Sequence, residues 1–133
     1  MRLVQHSKTL LGIAAILLLS LLISACGSSK HPAAAAVEAY LRALVAKDEA
    51  RFTGLTCKDF EAGALLEFDS FSLVQTRLEG LNCQAQKTSE SAASVICQGK
   101  IVATYGAEDQ QFDLSKRTYQ VQKEGSDWLV CGQ

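Results

Sequence analysis

Five cysteines hold most of the chemistry open to this 133-residue chain: Cys26, Cys57, Cys83, Cys97 and Cys131. A thiol can be acylated, oxidised to a disulfide, bound to zinc or used as a nucleophile, and its neighbours decide which. No Cys-x-x-Cys occurs, and the only histidines, His6 and His31, precede all four later cysteines. Zinc and thiol-redox centres therefore lack their customary ligand spacing. The same shortage of histidine removes Ser-His-Asp, Cys-His and histidine acid–base catalysis from the body of the chain. Lys100 follows Gly99, but the upstream glycine of a phosphate-binding loop is missing. Glu108, Asp109 and Asp113 gather after Gly106 in an order that fits no EF-hand loop, and read as a solvated hairpin turn. No catalytic residue, metal ligand or cofactor is assigned.

Cys26 stands apart from the other four. Arg2, His6 and Lys8 open the chain, no acid comes before Glu38, and Leu10 to Ile23 is aliphatic except for Gly12 and Ser20. A basic start, a short apolar run and small residues after it make a secretory signal. The last four residues of that segment, Ile23-Ser24-Ala25-Cys26, resemble a bacterial lipobox. The resemblance implies cleavage before Cys26, diacylation of its thiol and a bacterial lipoprotein. Residues 1–25 are then a signal peptide, and 26–32 are the lipidated cysteine with a flexible polar tether. Two or three acyl chains, at about 0.8 kcal/mol per buried methylene, hold such a protein on its membrane. The apolar run is at the lower limit of a membrane span, and its abrupt end in Ala-Cys-Gly-Ser-Ser favours cleavage over spanning. Gly27, rather than the Asp of inner-membrane retention, leans towards outer-membrane sorting in a host that has an outer membrane.

Cleavage leaves 11 basic and 14 acidic residues, a formal charge of −3. A mildly acidic domain without a basic stripe is not expected to bind nucleic acid. It also leaves four cysteines, an even set that reads in an exported domain as two disulfides. Three pairings are open, and geometry favours one. A hairpin closed around Thr88–Ala92 sets Cys83 opposite Cys97, within disulfide reach at a non-hydrogen-bonded site. Cys57, expected at a helix start, is then left to join Cys131 and clamp the helices to the last strand. On the chain-entropy argument the short loop stabilises by about 3 kcal/mol and the long one by about 4.

The elements that must position these residues fall into two halves. Pro32 suits the first turn of a helix, and Val37, Tyr40, Leu41, Leu44 and Val45 form one apolar stripe over about 33–46. Asp48 caps a second short helix with Phe52 and Leu55, and Thr56 with Asp59 resembles a capping box for a third with Phe60, Ala64, Leu65 and Phe68. Phe71 to Lys87 is rich in β-prone residues with a bend or bulge at Glu79-Gly80. Ala92 to Tyr105 reads as a long strand with Val95, Cys97, Ile101 and Ala103 on one face. Phe112 and Leu114 are out of phase with Tyr119 and Val121, which predicts a bulge near Ser115-Lys116. A turn at Gly125 leads into a last strand, Trp128 to Cys131, with Trp128 in the core.

Helices followed by an antiparallel meander predict a single α+β domain over 33–133, its helices packed on a curved sheet of about four strands. Pro32 leading into AVEAYLRALVAKDEARFTGL, and the end GSDWLVCG, resemble the nuclear transport factor 2-like (cystatin-like) superfamily. That resemblance implies an apolar cavity between helices and sheet, where some members work with tyrosine and carboxylate. Tyr40, Tyr105 and Tyr119 with Glu67 or Asp69 are the residues here that would make such a set.

The expectation is an exported envelope lipoprotein, tied by its lipid to the bacterial cell membrane or outer membrane and facing away from the cytoplasm. It serves as a non-enzymatic binding or interaction module for an unidentified protein or small-ligand partner. The alternative is a carrier of a small apolar ligand, or an enzyme, using the cavity. An apolar pocket of several hundred cubic ångströms with one or two convergent polar groups favours the alternative; a filled interior with an exposed apolar patch on the sheet's outer face favours the module.

Overall fold

The computed structural model describes residues 29–133. Three helices come first: α1 (Pro32–Ala46), α2 (Glu49–Gly54) and α3 (Glu61–Phe71). Strands β1 (Gln75–Thr88), β2 (Ala92–Tyr105), β3 (Glu108–Asp113), β4 (Thr118–Glu124) and β5 (Asp127–Gly132) follow, with a 3-10 turn, Leu114–Lys116, between β3 and β4.

Helix α1 begins where proline can begin a helix. His31 caps it, its Nδ1 accepting the Ala33 N–H at 3.2 Å. It ends at Lys47, whose left-handed backbone returns an N–H to Ala43 and Leu44. Val37, Tyr40, Leu41 and Leu44 are fully buried, as the stripe requires. Of the tether expected over 26–32, Lys30, His31 and Pro32 are tied into the domain. Lys30 pairs with Glu38, and the His31 ring meets the edge of Trp128 at 5.5 Å. Cys26 and the signal segment lie outside the described residues.

Asp48 caps α2, accepting the Arg51 N–H at 3.1 Å. The capping box expected at Thr56 and Asp59 does not form. Phe60 is the α3 cap and offers no side-chain hydrogen bond. The Thr56 hydroxyl donates instead to the Phe52 carbonyl at 2.8 Å, while its backbone bridges to Val130 in parallel. Tertiary pairing with β5 takes the residue from the helix start, so Cys57 also sits in the connection rather than on a helix. Phe71 belongs to α3, not to a strand, because its ring is buried beside Phe112 at 5.3 Å.

The sheet is antiparallel and has five strands, in the order β1-β2-β4-β5, with β3 pairing β2 beside β4. Strand β2 is the spine. It meets β1 along its whole length, β3 from Lys100 to Tyr105 and β4 from Ala92 to Ile96. The phase mismatch between Phe112 and Tyr119 resolves as the 3-10 turn, which divides one expected strand into two; buried Leu114 pins that turn to the core. Strand β1 bulges between Glu79 and Asn82 and again between Ala85 and Lys87. The first bulge leaves Gly80 at φ 65° facing Gly99 at φ 97°.

Val95, Cys97, Ile101 and Ala103 face the helices and are fully buried with Tyr40, Phe52, Tyr119 and Leu114. Trp128 packs against this core from its margin, half-buried rather than enclosed. The helices also cover the sheet edges. The Thr76 hydroxyl donates to the Val45 carbonyl at 2.9 Å beside β1, and the Val130 N–H donates to the Leu55 carbonyl at 2.8 Å beside β5.

Candidate functional site

Two groups of residues were candidates: the cysteines and the tyrosine–carboxylate set. Cys83 and Cys97 occupy facing positions on β1 and β2 and are bonded, with Cα atoms 4.0 Å apart. Cys57 is bonded to Cys131 across a Cα separation of 4.9 Å. The Cys57 N–H donates to the Val130 carbonyl at 2.8 Å, so the loop before α3 lies along β5 with the sulfurs in reach. Two disulfides mark an oxidising, extracytoplasmic environment. Among the described residues no helix is long and apolar enough to cross a membrane.

The tyrosine–carboxylate set is divided. Tyr105 is 39% exposed at the far end of β2, and Asp69 is exposed on α3. Tyr40, Tyr119 and Glu67 come together at the margin between α3 and the sheet. The Tyr40 hydroxyl donates to Glu67 Oε2 at 3.2 Å. Arg117 pairs with Glu67 Oε1, and Gln133 Nε2 donates to Oε2 at 2.9 Å. Arg117 also donates to Gln133 Oε1 at 3.1 Å.

Sequence reasoning missed Arg117 and Gln133. Neither lies in a motif, and only the 3-10 turn and the end of β5 bring them to α3. The signal that existed was the break in phase before Arg117, which implied a change of chain direction there.

Burial pushes the Tyr40 hydroxyl far above its ordinary pKa, helped by the Glu67 charge. Burial also raises Tyr119, to about 12, against the opposing charge of Arg117. The Tyr119 hydroxyl is fully enclosed and, among the described residues, has no hydrogen-bond partner. Arg117 lies near enough to influence its titration without meeting it in hydrogen-bond geometry. Burial works against the Arg117 charge, and the Glu67 carboxylate more than offsets it. Chemically the group is closed. Glu67 accepts from Tyr40, Arg117 and Gln133, and burial favours the protonated form of both tyrosines.

Between helices and sheet the side chains of Tyr40, Leu41, Phe52, Phe68 and Tyr119 are buried and pack together. Two of the surface hollows lie beside residues singled out above. One, of about 550 Å³, is lined by Glu79, Gly80, Gly99, Lys100, Gln111 and Asp113. Its rim is a polar lattice in which Lys100 meets Glu79 at 3.4 Å and Gln111 at 3.0 Å. Arg77 beside it meets Glu79 at 2.9 Å and Asp109 at 3.0 Å. Asp109 also accepts from the Thr104 hydroxyl at 2.6 Å, and Asp113 caps the 3-10 turn by accepting the Ser115 N–H at 2.9 Å. The other hollow, of about 540 Å³, includes Ser29, Lys30, His31, Asn82, Gln84 and Thr88 beside the start of α1. Among the described residues no histidine, cysteine and carboxylate cluster could hold a metal.

Helices followed by an open antiparallel five-stranded sheet make an α+β fold. No family model matches the chain, and no curated protein matches it. Among solved structures it is similar to Aln2 from a Streptomyces species, with 10% identity and a TM-score of 0.51 over 74% of this chain and 82% of that one. It is similar to a SEC-C motif containing protein from Rhodopseudomonas palustris, with 15% identity and a TM-score of 0.51 over 76% and 78%. An LEH-like epoxide hydrolase of M. tuberculosis matches with 15% identity and a TM-score of 0.48 over 77% and 83%. At these identities the likeness is one of fold.

Proposed function

We propose that this protein is a lipid-anchored lipoprotein of the bacterial envelope whose folded domain is a non-enzymatic binding or interaction module. The use of its cysteines carries the reading. Four are bonded in pairs inside the domain, and the fifth stands where an aliphatic-small-small sequence precedes it. Structural disulfides form and persist chiefly outside the cytoplasm, and a segment like 1–25 directs a chain there. The filled interior supports a module over a carrier, since Tyr40, Phe52, Leu41 and Tyr119 occupy the volume an apolar ligand would need. The closed Tyr40–Glu67–Arg117–Gln133 group supports the same choice over an enzyme.

Intact mass of protein taken from its native membrane, reduced and non-reduced, tests this. The expected result is a chain starting at Cys26, heavier by its acyl groups and lighter by four hydrogens when oxidised. An unprocessed chain with all five thiols free would overturn it. The fold leaves one second reading, a small-ligand carrier, favoured by the unpartnered Tyr119 hydroxyl. A saturable shift of the Tyr119 ring resonances by small apolar compounds would support the carrier; their indifference would remove it.

A further inference from the structure

We infer, resting on the lipid anchor at Cys26, that the end of the domain bearing His31 and Trp128 lies against the lipid headgroups. Four residue steps separate Cys26 from Lys30, so the two Cα atoms stand no more than about 14 Å apart. Lys30 belongs to the fold, paired with Glu38 and 3.4 Å from the Asn82 side chain. The spine β2 has 14 residues, a length of about 45 Å at the usual rise per residue. A leash of that reach brings one end of the spine to the membrane and leaves the other far from it.

The near end is identified by contacts. His31 meets Trp128, Lys123 is the cross-strand partner of Trp128, and the Lys123 N–H donates to the Ser91 carbonyl at 2.8 Å. The β1–β2 and β4–β5 turns therefore share one end with the start of α1. Leu73, the β2–β3 turn and Tyr105 are at the opposite end, because Gln75 faces Thr104 and Tyr105 faces Glu108.

The chemistry of the near end suits headgroups. Trp128 is half-buried, and an indole with an apolar body and one N–H donor favours the layer between lipid and water. Lys87 and Lys123 stand among Glu90, Glu124 and Asp127, while Lys30 is already paired with Glu38. Two lysines against three acids leave a net charge of −1, a weak repulsion that salt screens, so molar salt should not release the contact. The hollow beside Ser29, Lys30 and His31 adds a polar recess at the point where the chain leaves for its anchor.

Trp128 is the only tryptophan in the chain, so the native protein carries its own probe. Lipidated full-length mature protein would be reconstituted in phosphatidylethanolamine–phosphatidylglycerol vesicles with acyl chains brominated near the glycerol. Flotation reports the anchor, with a mature chain 26–133 carrying Cys26→Ala and made without residues 1–25 as the unanchored control. Trp128 emission reports orientation. The expected result is flotation with strong quenching of Trp128 that molar salt does not relieve. Amine-reactive labelling should also find Lys87 and Lys123 protected on vesicles relative to the Cys26→Ala protein, and Lys47 and Lys116 unchanged. Flotation without quenching or lysine protection would overturn the orientation and leave the anchor standing. Failure to float, or flotation of Cys26→Ala, would overturn the anchor and this inference with it.

Discussion

The Glu38 carboxylate accepts the backbone N–H of Cys83 at 2.9 Å, tying helix α1 to the edge strand beside a disulfide. Burial opposes the Glu38 charge, but Lys30 and the Cys83 amide outweigh it and hold its pKa below the ordinary value of 4.5. A depressed carboxylate stabilises the fold above its unfolded pKa, and that contribution is lost as pH falls through the folded one. Stability should decline below pH 4.5, and Glu38→Gln should flatten that decline and cost about 1–2 kcal/mol near neutrality. Urea denaturation of both proteins from neutral pH into the acid limb checks it; parallel acid limbs would refute the assignment.

Among the described residues, Gly99 is predicted to be the least replaceable glycine. A Cβ there would stand 2.5 Å from the Glu79 carbonyl oxygen and 2.6 Å from the Gly80 carbonyl, at a φ of 97°. Backbone cannot yield as a side-chain tip does, so Gly99→Ala should cost about 2–5 kcal/mol. Gly80→Ala, with nothing nearer than 3.8 Å, should cost only the left-handed penalty of about 1–2 kcal/mol. Thermal unfolding of the two variants gives the comparison, and equal losses would contradict the close-approach argument.

The two buried tyrosines should respond oppositely to loss of their hydroxyls. Tyr119→Phe removes an enclosed, unpartnered group and should be neutral or stabilising by up to about 1 kcal/mol. Tyr40→Phe removes the donor to Glu67 and should cost about 1–2 kcal/mol. Both hydroxyls are raised by burial, so their contribution is intact below the ordinary tyrosine pKa of 10.0 and is lost as pH climbs beyond it. Spectrophotometric titration should find both still protonated in the folded protein at pH 10.0, where an ordinary tyrosine is half ionised.

The disulfides should differ in access. Cys83 and Cys97 are enclosed, at 1% and 0% exposure, whereas Cys131 is only half-buried at the last strand. Mild reductant should open Cys57–Cys131 first, as read by alkylation and peptide mapping. Because that bond spans 74 residues, its removal should cost about 4 kcal/mol on the chain-entropy argument. Reduction of Cys83–Cys97 ahead of it would show that burial does not control the order.

Much of this architecture is legible in the sequence because it rests on local periodicity. Helix α1 follows from one apolar stripe after a proline, and β2 from alternation carried over Ala92 to Tyr105. The α+β class follows from helices preceding strands. The facing of Cys83 and Cys97 is a matter of hairpin register, which the count of residues around a turn constrains. The lipobox resemblance at Ile23-Ser24-Ala25-Cys26 is likewise a linear signal, read from residues that touch in the chain.

What only the tertiary structure decided depends on residues far apart in the chain. Thr56 has the composition of a helix cap, yet pairing with Val130 takes it for the sheet. The mismatch around Ser115-Lys116 is visible as a break in phase, but whether a bulge or a 3-10 turn resolves it depends on the space available to Leu114. Glu67, Arg117 and Gln133 meet because α3, the turn and the end of β5 converge, and no periodicity encodes convergence. Gly99 is required by a bulge on another strand. Local pattern determines which face of an element is apolar; the packing of those faces decides which polar groups are left to find one another.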